Sequence, residues 1–175
     1  MKVLGSVFLF ILFQFNSSCN QKAEPETYLI PSNFVGKVNI LFSRSDGVAK
    51  IYEGNRRVYK IPSNGILVTQ FESNYGFLDR EYYSIYSNNQ RKQLQVFEYD
   101  TKDSNKWVIK DPNEKGIFLD GISGQYGNTD DPKSVKYQVF IVSNYSSLDS
   151  FFTKKYQTDF DDKLEKITGL TFNLE

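Results

Sequence analysis

Short apolar runs with a period of two, broken at close intervals by Gly, Pro, Asn and Asp, leave this chain few architectures other than a β-sandwich or barrel. From Gly36, the residues Val38, Ile40 and Phe42 alternate with Lys37, Asn39 and Ser43, the rhythm of a strand with one buried face. Ser45-Asp46-Gly47 breaks it, and a short run over residues 49–52 meets a second turn at Glu53-Gly54-Asn55. Residues 58–61 lead into Pro62-Ser63-Asn64-Gly65, and the strand expected over 66–71 makes this a predicted hairpin. A tyrosine-rich hairpin is expected from residues 81–86 and 93–99 around Ser87-Asn88-Asn89. Strands over 107–110, 117–123 and 135–142 complete the pattern. After Asn144 the period changes: Leu148, Phe151, Phe152 and Tyr156 fall at helical spacing, with Ser146 and Asp149 as a capping box. Phe160, Leu164 and Ile167 repeat the stripe on a helix starting near Thr158 and stopping at Gly169. The expected fold is mainly β, an antiparallel β-sandwich with one or two C-terminal α-helices.

The first residues belong to targeting. After Lys2, an apolar stretch over residues 3–15 is too short for a permanent transmembrane helix and reads as a signal peptide. Ser17 and Ser18 then precede Cys19. This run resembles the lipobox of bacterial lipoproteins in the looser form seen in the Bacteroidota, since Asn16 stands where an aliphatic residue is usual. The resemblance implies cleavage before Cys19 and a diacylglycerol on its thiol, which accounts for the chain's only cysteine. Two or three acyl chains hold a protein at a membrane durably, each buried CH₂ contributing about 0.8 kcal/mol. The expected organisation is a signal peptide over 1–18, a lipidated tether over 19–27 and one globular domain over 28–175. The expected location is the cell envelope, at the outer membrane on its periplasmic or surface face; Asn20-Gln21-Lys22 offers no clear acidic sorting signal, so surface display stays open.

Composition bounds the rest. The mature chain of 157 residues suits one domain burying roughly 70% of its unfolded surface. The whole chain balances 21 basic against 21 acidic residues, and removing Lys2 leaves a formal charge of −1. No concentrated basic field is present for nucleic acid. There is no histidine and no thiol beyond Cys19, so Ser-His-Asp and Cys-His catalysis and imidazole or thiolate metal sites are excluded by inventory. No cofactor is expected. Gly121-Ile122-Ser123-Gly124 lacks the spacing of a nucleophile elbow and reads as a strand end with flexible turns.

Few residues stand out as a site. Tyr75, Tyr82, Tyr83 and Tyr86 cluster in sequence, and exposed on a sheet they would offer flat faces to a sugar or protein; packing is the simpler use of strand tyrosines. Asn128, Asp130 and Asp131 could offer oxygens to calcium, yet they lack the spacing of a calcium motif and read as a polar turn before Pro132. Asp159, Asp161 and Asp162 are expected in the first turn of a helix, where the dipole favours them.

Residues Tyr28, Ile30-Pro31, Phe34, Gly36 and Val38, then Tyr52-Glu53, Arg57-Val58-Tyr59-Lys60-Ile61-Pro62, Gly65-Ile66-Leu67 and Thr69-Gln70-Phe71, resemble a domain of Bacteroidota lipoproteins whose function is unknown. The resemblance covers residues 28–71, reaching toward 143, and implies export and a β-rich fold. The strand-turn-strand order is also similar to prealbumin-like sandwiches, an analogy of fold alone. Two readings follow. One is a non-catalytic, lipid-anchored envelope domain that binds a protein or glycan. The other is a small carbohydrate-active envelope enzyme using paired carboxylates or a tyrosine.

Overall fold

A computed structural model describes residues 23–102, 106–127 and 134–169. The leader, Cys19 and the segment containing Asn128, Asp130 and Asp131 lie outside the described residues. The strands are β1 (Glu26–Pro31), β2 (Gly36–Leu41), β3 (Tyr52–Glu53), β4 (Arg56–Lys60), β5 (Ile66–Val68), β6 (Arg80–Ile85), β7 (Arg91–Gln93), β8 (Gln95–Val96), β9 (Tyr99–Asp100), β10 (Lys106–Trp107), β11 (Gly116–Tyr126) and β12 (Val135–Ser143). A 3-10 helix, Tyr145–Phe152, and helix α1, Lys154–Thr168, follow.

Two five-stranded sheets form a sandwich, ordered β3-β4-β1-β6-β7 and β5-β2-β12-β11-β8, so the expected β-sandwich with a C-terminal helix is the architecture observed. Both sheets are mixed: β1 runs parallel to β4 and β6, and β2 parallel to β5, beside antiparallel hairpins and the long β11–β12 pair. Parallel neighbours need crossover connections, which explains one departure from expectation. The turn at 62–65 exists, with the Gly65 amide donating to the Pro62 carbonyl, but it carries the chain from one sheet to the other instead of closing a hairpin. A hairpin around Ser87-Asn88-Asn89 does form between β6 and β7, but its second strand is Arg91–Gln93 and not residues 93–99, of which Gln95–Val96 pair with β11 in the other sheet.

Inward residues of both sheets build the main core, including Ile30, Val38, Ile40, Phe140 and Val142. Strands of the second sheet are buried on both faces. Leu41 on the outer face packs with Phe160 and Leu164 of α1, while Phe118 and Ile141 pack with Leu148 and Phe151 of the 3-10 helix. The continuous apolar run from Val139 to Val142 is the signature of such double burial.

Local signals explain the helical ends. Asn144, and not Ser146, caps the 3-10 helix, its side-chain oxygen accepting from the Ser147 amide at 3.0 Å. Thr153 caps α1 in the same manner, so the helix starts before Thr158 and includes Tyr156, and Gly169 ends it in the left-handed region as expected. The earlier start moves Asp159, Asp161 and Asp162 out of the first turn; Asp159 instead pairs with Lys155 one turn back. At the amino end, Ala23, Glu26 and Thr27 are already buried in the domain, because β1 begins at Glu26 and hydrogen-bonds from its first residue. The fold therefore takes in residues 23–27, which a polar composition had marked as tether. Among the described residues, no helix is long and apolar enough to cross a membrane.

Candidate functional site

A buried charge network lies between the sheets at the end where β1 starts. Residues two apart on a strand share a face, so Glu26 and Tyr28 both point inward, and strand register sets Tyr28 beside Tyr59 of β4 and Tyr82 of β6. The three rings stack across the strands, with centroids 5.0 and 4.6 Å apart, and Phe140 of the facing sheet meets Tyr28 and Tyr82 edge-on at 5.5 and 5.2 Å. Their hydroxyls all reach carboxylates. Tyr28 donates to Glu26 Oε2 at 2.7 Å, Tyr59 to Glu26 Oε1 at 3.3 Å and Tyr82 to Asp120 Oδ1 at 2.5 Å.

Arg80 joins the two carboxylates. Its Nε donates to Glu26 Oε2 at 3.0 Å and its Nη1 to Asp120 Oδ1 at 3.0 Å. Asn74 adds a bond to Glu26 Oε1 at 3.0 Å. Glu26 is only 1% exposed, which is tolerable because four side chains satisfy its two oxygens. Asp120 reaches the network through a β-bulge: β11 shifts register against β12 between Phe118 and Ile122, with Leu119 and Gly121 both at positive φ. Gly121-Ile122-Ser123-Gly124 thus continues β11 beyond a bulge, and is not a strand end.

The network fixes protonation states. Burial, then the Glu26 charge, raises the Tyr28 hydroxyl far above its ordinary range. Tyr59 and Tyr82 are raised for the same first reason, with Glu26 and Asp120 respectively as the neighbouring charge. Burial pulls the Arg80 guanidinium down, but Tyr28, Tyr82, Asp120 and Glu26 together outweigh it and lift it above its usual value. These tyrosines stay neutral and Arg80 stays charged at any physiological pH.

Above the network the sandwich end opens into a cleft of about 1040 Å³, adjoined by a recess of about 390 Å³. The two share Phe42, Ser73, Asn74, Tyr75, Gln125 and Lys136. Arg80 and Gln138 line the recess. Gln138 is 3% exposed, and one end of its amide lies 3.2 Å from the Tyr28 hydroxyl. Tyr28 gives its one hydroxyl proton to Glu26, so it accepts from the Gln138 amide, whose other end is the buried polar atom left over. Arg57 at the cleft wall is fixed by Glu24 at 2.5 Å and the Glu72 carbonyl at 2.6 Å, and Arg44 by Asp46 at 2.9 Å. Among the described residues no group of carboxylates is arranged to hold a metal ion.

The four tyrosines singled out by sequence do not form one platform. Tyr82 is 1% exposed and belongs to the buried ladder, a correction that follows from strand alternation: with Tyr82 inward, Tyr83 must face outward, where it donates to Glu81. Tyr75 stands at the cleft rim, 60% exposed, while Tyr86 lies at the far end of β6. Sequence reasoning missed Glu26, Tyr28, Tyr59, Arg80, Asp120, Asn74 and Gln138. A signal was present in the first four: Glu26-x-Tyr28, Arg57-x-Tyr59 and Arg80-x-Tyr82 repeat one charged-x-tyrosine pattern on three strands.

No curated protein matches the sequence. A crystal structure of a Bacillus anthracis protein, provisionally described as a lipoprotein, shares the fold: TM-score 0.53 at 13% identity, covering 85% of this chain and all of that one. A model for a family of unknown function, DUF6843, matches residues 22–151, from the start of the described fold through the 3-10 helix. With so much of its length matched, the chain belongs to the DUF6843 family.

Proposed function

We propose that this protein is a lipid-anchored, non-catalytic domain of the bacterial cell envelope, held at the outer membrane through Cys19, and that its cleft binds an envelope protein or glycan. Two things support the anchor: the lipobox-like run ending at Cys19, and the likeness of fold to a protein provisionally described as a lipoprotein. That lipobox is of the looser kind, which favours a Bacteroidota source.

The observation that carries the binding reading is the state of Glu26 and Asp120. Of the carboxylates lining the cleft, Glu24 pairs with Arg57 and Asp46 with Arg44, and in the network beneath it Glu26 and Asp120 both converge on Arg80. Glycoside hydrolysis needs one carboxyl ready to give a proton and another ready to attack or activate water. Here both are spent on a guanidinium and tyrosine hydroxyls, and the cleft is left with fixed polar donors around a preformed concavity. That is the design of a recognition site.

Protein extracted from membranes with its anchor intact should retain an envelope protein or glycan on affinity capture. The retained species should fall several-fold with Gln138→Ala and Lys136→Ala, neither of which breaks the Glu26–Arg80–Asp120 network. Capture of nothing by the native protein, or capture indifferent to both substitutions, contradicts the proposal.

A further inference from the structure

One loop at the mouth of the cleft puts apolar side chains into water. In the segment of residues 72–79, Phe77 is 78% exposed and Leu78 37%, beside Tyr75 at the rim. Gly76, beside Phe77, has φ 120°, a conformation side chains rarely adopt. Among the described residues, little covers the Phe77 ring.

The loop is fastened to the start of the fold. Asn74 Nδ2 donates to the Glu24 carbonyl at 2.7 Å, and the Glu24 amide donates to Asn74 Oδ1 at 3.2 Å. Cys19 lies four residues before Ala23, a contour of at most about 14 Å, whereas the headgroup layer of one leaflet is roughly 6 Å deep. A lipid on Cys19 therefore keeps the Asn74 clamp, and the loop it holds, close to the bilayer. The Lys136 ammonium sits 5.0 Å from the centre of the exposed Tyr75 ring, beside the apolar loop.

We propose that Tyr75, Phe77 and Leu78 insert into the lipid surface that carries the anchor, docking the cleft end of the sandwich on the membrane; this rests on the lipid-anchored reading of Cys19. The loop need not bind membranes by itself. The acyl chains hold it at a high effective concentration, so even a weak insertion suffices to orient the domain. The cleft then opens beside the bilayer, toward partners that lie at the membrane surface.

The test uses the full lipidated protein. Cys19 is the chain's only cysteine, so once its thiol is acylated, Phe77→Cys provides a single reactive thiol at the loop tip. A nitroxide there is compared with one at Asn88→Cys, in the turn beyond the opposite end of β6, in phosphatidylethanolamine–phosphatidylglycerol vesicles. The ratio of collisions with oxygen to collisions with a nickel chelate should be several-fold higher at position 77 than at 88, and Leu78→Cys should follow 77. Equal ratios on a protein whose Cys19 is acylated by mass spectrometry overturn this inference and leave the anchor standing. Two nitroxides per chain, the second on a bare Cys19, overturn the anchor and this inference together.

Discussion

Glu26 is the residue on which the interior of this sandwich turns. A carboxylate 1% exposed persists only because Arg80, Tyr28, Tyr59 and Asn74 all satisfy it. Removing one partner of a buried ion pair leaves the other charge without compensation, at a cost of about 3–5 kcal/mol. Glu26→Gln keeps the shape and removes the charge, and Arg80 retains Asp120, so the expected loss is about 3 kcal/mol, near the low end of that range. Urea unfolding monitored by circular dichroism measures it; a change below about 0.5 kcal/mol, the scale of an ordinary surface substitution, would mean the network adds nothing to the fold. At this scale the sequence was only partly legible. Inventory leaves no histidine for catalysis, but an acidic residue eight places after the expected leader reads as solvated tether, and nothing local marks Glu26 as buried. Its burial is decided by Arg80, 54 residues away.

At the scale of elements, the tyrosine ladder on β4, β1 and β6 makes a pH-dependent claim. Tyr28, Tyr59 and Tyr82 all have their hydroxyls raised above 10.0, first by burial and then by neighbouring carboxylates or another tyrosine. A group whose folded value is raised contributes stability that is complete below its unfolded value and lost as the pH climbs through the folded one. The fold should therefore hold its stability up to about pH 10, where unfolded tyrosine ionises, and lose it steeply above. Absorbance at alkaline pH should show the exposed tyrosines ionising first and the ladder ionising only together with loss of the far-ultraviolet signal. Ionisation of every tyrosine around one ordinary midpoint, with the fold intact, would contradict the ladder.

Elements were the most readable layer in the sequence, since alternation and turn residues act locally. Strands β2, β6, β11 and β12, the turn after β6 and the Gly169 stop all follow from such signals. What escaped was set by distant partners. The turn at 62–65 has the same residues whether the next strand folds back or crosses to the other sheet; the parallel pairing of β5 with β2 decides that. Likewise Asn144 and Ser146 are both good caps, and only the packing of Leu148 and Phe151 against Phe118 and Ile141 selects the first.

For the whole molecule, one end of the sandwich gathers everything that suggests recognition. The start of the fold at Ala23, the exposed loop before β6, the unpartnered end of the Gln138 amide and the end of α1 all border the same cleft system. The mainly β class, the two-sheet core and the helical tail could be foreseen from periodicity. The site could not, because it is assembled from β1, β6, β11 and β12 and the loop around Asn74, segments that no linear motif connects. The tyrosines that did stand out in sequence were divided by the fold between core, outer face and rim.

The central claim, that this cleft is where the protein recognises its partner, is tested most directly by amide hydrogen exchange on the anchored protein with and without a solubilised envelope fraction. The expected result is slowed exchange in residues 134–138, with β3, β4 and α1 unchanged. Slowed exchange confined to β3, β4 or α1, or none at all from a fraction that the protein demonstrably retains, would contradict it.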